Sequence, residues 1–167
     1  MWYLAYHPFP GLAVKVFNVY SLLEALFFFW MLNYFSEPAT LKNASKIALY
    51  LVFPFWLIGF FVYPFFIKGE AARGVPFETT YNVATAFLSA FTILSLIELK
   101  SNLPGRGEFW FVLAVFFYTF STFFIGTFLG STMLATLWPL NNITNVITYV
   151  LYSVGFYHLK QEPLKMD

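Results

Sequence analysis

Five long apolar runs separated by short polar breaks organise this chain and set its predicted elements. They cover 12–35, 47–67, 81–99, 109–129 and 139–159. Each is close to the roughly 20 residues that carry a helix across a bilayer core. None alternates apolar with polar residues, so a transmembrane strand pattern does not fit. The breaks have loop composition. Residues 36–46 hold Glu37, Pro38, Asn43 and Ser45, and 68–80 hold two glycines, a proline and four charges. Residues 100–108 read Lys-Ser-Asn-Leu-Pro-Gly-Arg-Gly-Glu, while 131–138 carry no charge. Pro139 is placed in the first turn of the fifth helix, where a missing N–H is harmless. Pro54 and Pro64 each remove a backbone donor and predict kinks in the second. Connections this short make neighbouring helices antiparallel. The expected fold is all-α: one polytopic transmembrane helical bundle over residues 1–167, with about five spans and no internal repeat.

Composition sharpens the membrane reading. The chain is 60% hydrophobic and 10% charged, with 24 Phe, against about 25% charged residues in soluble domains. Lipid is therefore the expected surroundings of most of its surface. The net charge of +1 and the dispersed Lys and Arg exclude a basic nucleic-acid surface. The absence of Cys excludes disulfides, thiolate metal sites and thiol catalysis. Met1 to Pro8 has neither a positive segment nor a cleavage-site pattern, so a cleaved signal peptide is not expected. Lys42, Lys46, Lys100, Arg106, Lys160 and Lys165 fall on one side of the predicted topology, and Lys15, Lys68 and Arg73 on the other. The richer side is expected to be cytoplasmic, which puts the N-terminus outside and the C-terminus inside.

Polar residues inside the runs are the candidates for function. A charge at the bilayer centre costs roughly 2.5–3.5 kcal/mol on insertion scales, and Glu24 lies midway along the first helix. Tyr20, four residues earlier, is in position to hydrogen-bond it. Glu24 reads either as a proton- or cation-linked or ligand-binding group, or as a neutral side chain tying helices together. Thr85, Ser89 and Thr92, with Ser95 slightly offset, share one face of the third helix and mark either a helix contact or a hydrated wall. Asn142, Asn145, Tyr149 and Tyr152 form a stripe on the fifth, readable as a pocket wall or as an interhelical clamp. Gly126 and Gly130 form a GxxxG pattern that permits close approach of a helix, within the bundle or from a second copy. Glu98 is expected to snorkel or to pair with a Lys or Arg of the neighbouring loop. His7 and His158 fall on opposite sides of the predicted topology, and no metal or cofactor is expected.

Several short segments together resemble a group of small polytopic membrane proteins of Bacteroidetes-type bacteria. They are Asn18-Val-Tyr20 with Glu24, Ile97-Glu98-Leu99, Phe109-Trp110, and Asn142-Ile-Thr-Asn145 with Tyr149 and Tyr152. The resemblance implies a seven-helix-like fold with the N-terminus outside, of which this chain matches the last five helices, in a bacterial inner membrane. It implies no activity.

No catalytic, nucleotide or metal motif is complete. The leading expectation is a non-enzymatic sensory or accessory membrane subunit, working through protein partners or through a small ligand within the bundle. The candidate pocket comprises Glu24, Tyr20, Thr85, Ser89, Thr92, Asn142, Asn145 and Tyr149. Two alternatives stand beside it: a proton- or cation-linked transporter or channel using Glu24, and a membrane enzyme acting on lipid or quinone through an interfacial group, for which only Glu98 and His158 are available.

Overall fold

A computed structural model describes residues 10–62, 75–100, 102–126 and 134–161, and their regular structure is entirely helical. The helices are α1 (Pro10–Phe35), α2 (Ala39–Leu57), α3 (Val75–Leu99), α4 (Gly107–Gly126) and α5 (Leu134–Gln161). Four stretches, Val16–Phe35, Ala39–Phe60, Phe77–Leu99 and Gly107–Gly126, are long and apolar enough to cross a membrane. α5 is longer still, at 28 residues, but Asn141, Asn142, Thr144, Asn145 and Thr148 leave it more polar.

Helix starts depart from the sequence expectation in one direction. α2 begins at Ala39 rather than 47, α3 at Val75 rather than 81, and α5 at Leu134, so that Pro139 lies inside the helix. Hydropathy reports the part of a helix that suits lipid, whereas the hydrogen-bonded ladder continues beyond it because each backbone group still needs a partner. Residues 39–46, polar as they are, include the good helix formers Ala, Leu and Lys. They follow Pro38, whose extended backbone (φ −62°, ψ 130°) ends the turn after α1. α2 runs past Pro54 and widens after Leu57 into a π-helical turn, Ile58–Val62, a local adjustment that re-pairs groups near a proline. Here the Ile58 N–H is shared between Phe55 O and Pro54 O. Residues 63–67 and 127–129, Pro64, Gly130 and His7 lie outside the described residues.

Short connections fold the helices back on one another. α1 and α2 are antiparallel: the indole N–H of Trp56, late in α2, donates to Asn18 O, early in α1, at 2.9 Å. α3 packs on both, α4 packs on α3, and α5 packs chiefly on α4. Phe28, Phe29 and Leu32 of α1 meet Val52, Phe77, Leu96, Val112 and Val115 in a common core.

Around that core, polarity runs inside out. Thr85, Ser89 and Thr92 are 0–1% exposed, while Leu23, Phe87 and Phe91 are 54–63% exposed. Buried hydroxyls close onto their own helices, Ser89 Oγ to Thr85 O at 2.7 Å and Thr92 Oγ1 to Leu88 O at 2.8 Å, and Ser36 Oγ meets Thr92 Oγ1 across helices at 3.1 Å. Leaving a large apolar side chain in water forfeits roughly 1.5–3 kcal/mol. A surface of exposed Phe, Leu and Val is a stable one only where the solvent is lipid.

Ions gather at one end. Lys100 Nζ donates to Glu37 Oε1 at 2.5 Å and also to Glu108, which takes a second bond from Arg106 Nη1 at 3.0 Å. The cluster joins the α1–α2 connection to the α3–α4 connection. Lys100 thus pairs with Glu37 and Glu108 rather than with the nearby Glu98. Burial alone would lower the Lys100 ammonium, but hydrogen bonds and charges from Glu108 and Glu37 outweigh it and hold the group above its ordinary value of 10.5.

At the same end α4 and α5 cross on glycines. A Cβ on Gly107 would lie 2.7 Å from Gly155 O and would also meet Leu159, and one on Gly155 would lie 2.8 Å from the Phe111 ring. A Cβ on Gly126, by contrast, would meet none of the described residues. Among the described residues the close approach of α4 to α5 sits at Gly107 and Gly155.

Two outcomes follow from this packing. Gly155→Leu should destabilise the detergent-solubilised protein by about 1–3 kcal/mol, as over-packing does, while Gly126→Ala should leave its thermal unfolding unchanged. A raised Lys100 pKa means that the ion cluster stabilises fully below the ordinary lysine value and is lost only as pH rises through the higher folded value. Melting curves at increasing alkaline pH should therefore show a late fall in stability that is absent from Lys100→Met.

Candidate functional site

Glu24 is carried by the middle of α1, and the fold gives both of its oxygens a donor. Tyr20, one turn earlier, donates to Oε1 at 3.0 Å. Tyr81, on α3 and buried, donates to Oε2 at 2.5 Å. Tyr118 of α4 stands close enough to interact with the same carboxylate, and its ring packs edge-on against Phe28 with centroids 5.8 Å apart. Among the described residues Glu24 takes part in no ion pair.

Beside this group lies a cleft of about 800 Å³ between α1, α4 and α5. It exists because α5 leans on α4 and leaves α1 largely uncovered on that side. Phe111 of α4 packs on Tyr152 (5.7 Å) and on Phe156 (4.8 Å), making an aromatic wall. Glu24, Tyr20, Tyr118, Asn145, Thr148, Tyr149, Tyr152 and Ser153 supply the polar groups of the lining, with Leu23 and Phe27 among the apolar ones. Thr148 is 3% exposed, and its Oγ1 has no hydrogen-bond partner. Leu23, Phe27, Tyr149 and Phe156 are also exposed on the outside of the bundle, so the cleft opens toward the surroundings of the helices rather than into a sealed interior.

The residues expected at a pocket divide into two groups. Glu24, Tyr20, Asn145 and Tyr149 line the cleft. Thr85, Ser89 and Thr92 face the helix interfaces, buried away from it, and Asn142 is exposed outside it. Tyr81, Tyr118, Tyr152 and Thr148 are the additions. Tyr152 belonged to the Asn/Tyr stripe; the other three carried no local signal, since each meets the site from another helix or from an offset position. Glu78 is a further addition. Its placement among loop residues gives way to the first turn of α3, where an acidic side chain suits the helix dipole. The charge of Glu24 is felt there.

Chemically, the arrangement offers a carboxylate held by hydroxyl donors, the Asn145 amide, aromatic faces, and the unpaired buried hydroxyl of Thr148, in a recess also walled by Leu23, Phe27 and Phe28. Among the described residues no three His, Asp or Glu side chains converge on a common point, and no residue is assigned to a metal. Comparisons with protein-family models, curated proteins and solved structures give no match. Fold and site together describe an all-helical bundle with helices suited to a bilayer and a polar-tipped cleft on its flank.

Removing a donor should expose the importance of the carboxylate contacts. Tyr81→Phe leaves Oε2 without its buried partner and should cost about 1.5–3 kcal/mol of stability, as for hydrogen bonds to a charged group. Thr148→Val has no hydrogen bond to lose and should shift thermal unfolding in detergent by less than about 0.5 kcal/mol.

Proposed function

We propose that this chain is a non-enzymatic integral membrane subunit that binds a small ligand in the cleft beside Glu24 and acts through protein partners. The observation that carries the reading is the cleft itself: about 800 Å³, lined by a carboxylate and several tyrosines. Binding sites are typically apolar recesses of 300–1,000 Å³ with a few polar groups that fix orientation. The residues lining this one supply groups for holding a molecule, and no nucleophile–base pair for transforming it is found among them. Dependence on partners is supported by Gly126, where an added Cβ would meet none of the described residues, and by the uncovered faces of α5, where Ile143, Val146 and Val150 are exposed.

In this reading α5 completes a fifth span, because its polar residues Thr144, Asn145 and Thr148 turn toward α4 or the cleft while its apolar ones face lipid. The end that carries Lys100, Arg106 and Lys160 is cytoplasmic and the N-terminus lies outside, following the excess of Lys and Arg. The proposed location is a bacterial inner membrane.

A second reading, proton- or cation-linked transport, draws on one observation. Glu78, Tyr81 and Glu24 form an electrostatically connected series from the first turn of α3 to the middle of α1. Binding without flux and flux through Glu24 are separable in proteoliposomes.

Native mass spectrometry of protein extracted in mild detergent tests the leading reading. The expected spectrum shows an added small-molecule mass that disappears in Ser153→Trp, which fills the cleft without altering Glu24, together with a stoichiometric partner protein. Bare chains with neither would overturn it.

A further inference from the structure

We infer that the occupant of the cleft is a lipophilic ammonium: a protonated amine on an apolar body, taken up from the bilayer with its charge against Glu24. The inference deepens the ligand-binding reading and rests on it. Three features of the site converge on this class.

The first is a missing charge. The two Glu24 oxygens receive hydroxyl donors from Tyr20 and Tyr81, which are neutral and leave the carboxylate's net charge unbalanced. What the described residues do not supply is a countercharge. The described ion pairs lie among Glu37, Lys100, Arg106 and Glu108, at the end of the bundle. A carboxylate in a medium of low dielectric attracts a nearby cation far more strongly than water would allow, and it repels an anion equally. The occupant that this site favours over an alcohol, a quinone or a fatty acid therefore carries positive charge.

The second is the aromatic lining. Tyr20, Tyr118, Tyr149 and Tyr152 surround the cleft on three helices. Aromatic faces attract ammonium groups through the ring quadrupole, most strongly where water is excluded. Thr148 Oγ1, buried and without a hydrogen-bond partner, adds an acceptor in the same wall for an N–H donor.

The third is access. Leu23, Phe27 and Phe156 line the cleft and are exposed on the lipid-suited surface. An entrance of that composition admits a molecule already dissolved among acyl chains and accommodates its apolar body. A small hydrated cation would have to shed its water there with nothing to replace it beyond one carboxylate.

Purified full-length chain in nanodiscs of zwitterionic lipid provides the test, with radiolabelled dodecylamine as probe at neutral pH and empty nanodiscs as background. Saturable binding of dodecylamine is expected. It should be weakened about tenfold or more in Glu24→Gln, as for loss of a charge-assisted contact, and lost in Ser153→Trp. Labelled dodecanol and laurate, of matching length, should show no saturable binding to the wild-type chain. This comparison needs no variant and holds even if Glu24→Gln fails to fold. Should dodecanol saturate the cleft as well as dodecylamine does, and Ser153→Trp abolish both, the cleft binds ligands but the assignment to a cation is overturned. Saturable laurate binding would overturn it too. If no probe saturates, the ammonium is again overturned, and the added mass in the native spectrum decides independently whether the cleft holds anything at all.

Discussion

A carboxylate in the middle of a hydrophobic helix must be compensated by its own fold, because lipid offers it nothing. Glu24 sets that condition here. Tyr20 answers it locally, from the same helix. Tyr81 answers it from α3, at a distance of 57 residues along the chain, and so fixes how α3 lies against α1. The rest of the α1–α3 contact follows in parallel, down to Ser36 against Thr92. Further along, α4 packs on α3 and α5 on α4. The cleft is thus the space left beside a carboxylate whose position governs the helices around it.

The same constraint explains why this core is more polar than its surface. In water, apolar side chains leave the solvent and hydroxyls remain in it. Where lipid is the solvent, burying a leucine gains little, while burying a hydroxyl that closes onto its own helix removes an unfavourable contact. Ser89, Thr92 and Thr119 occupy the interior on that account, and Phe87, Phe91 and Phe120 do not. Thr119 follows the same pattern as its neighbours on α3, donating to Val115 O at 2.8 Å.

How much of this was legible beforehand depends on the range of the interaction. The helical class, the Tyr20–Glu24 spacing and the shared face of Thr85, Ser89 and Thr92 are local properties, fixed by a repeat of 3.6 residues, and they can be read from the letters. Tyr81 and Tyr118 could not be paired with Glu24, because nothing in either segment encodes the registry between helices. The true start of α2 was hidden by Lys42, Asn43 and Lys46, which are polar yet helical. Glu78 was hidden by its neighbours Gly74 and Pro76, which have loop character in any local reading. The glycines show the limit most clearly. Gly126 and Gly130 form a recognisable pattern, yet a Cβ on Gly126 would meet none of the described residues, while Gly107 and Gly155, 48 positions apart and without a motif, make the tight crossing.

That crossing also gives α5 a fulcrum. Gly155 presses on α4 near one end of the bundle, whereas Asn145 and Tyr149 line the cleft further along. Ten residues of helix separate Gly155 from Asn145, about 15 Å at 1.5 Å per residue. A tilt of about 10° around the glycine contact would carry Asn145 through roughly 2.6 Å by that lever arm. The mouth of the recess is therefore geared to the inclination of a single helix: a slight rocking at the pivot is magnified where Asn145 faces the opening, and whatever presses on the outer face of α5 presses on the aperture as well.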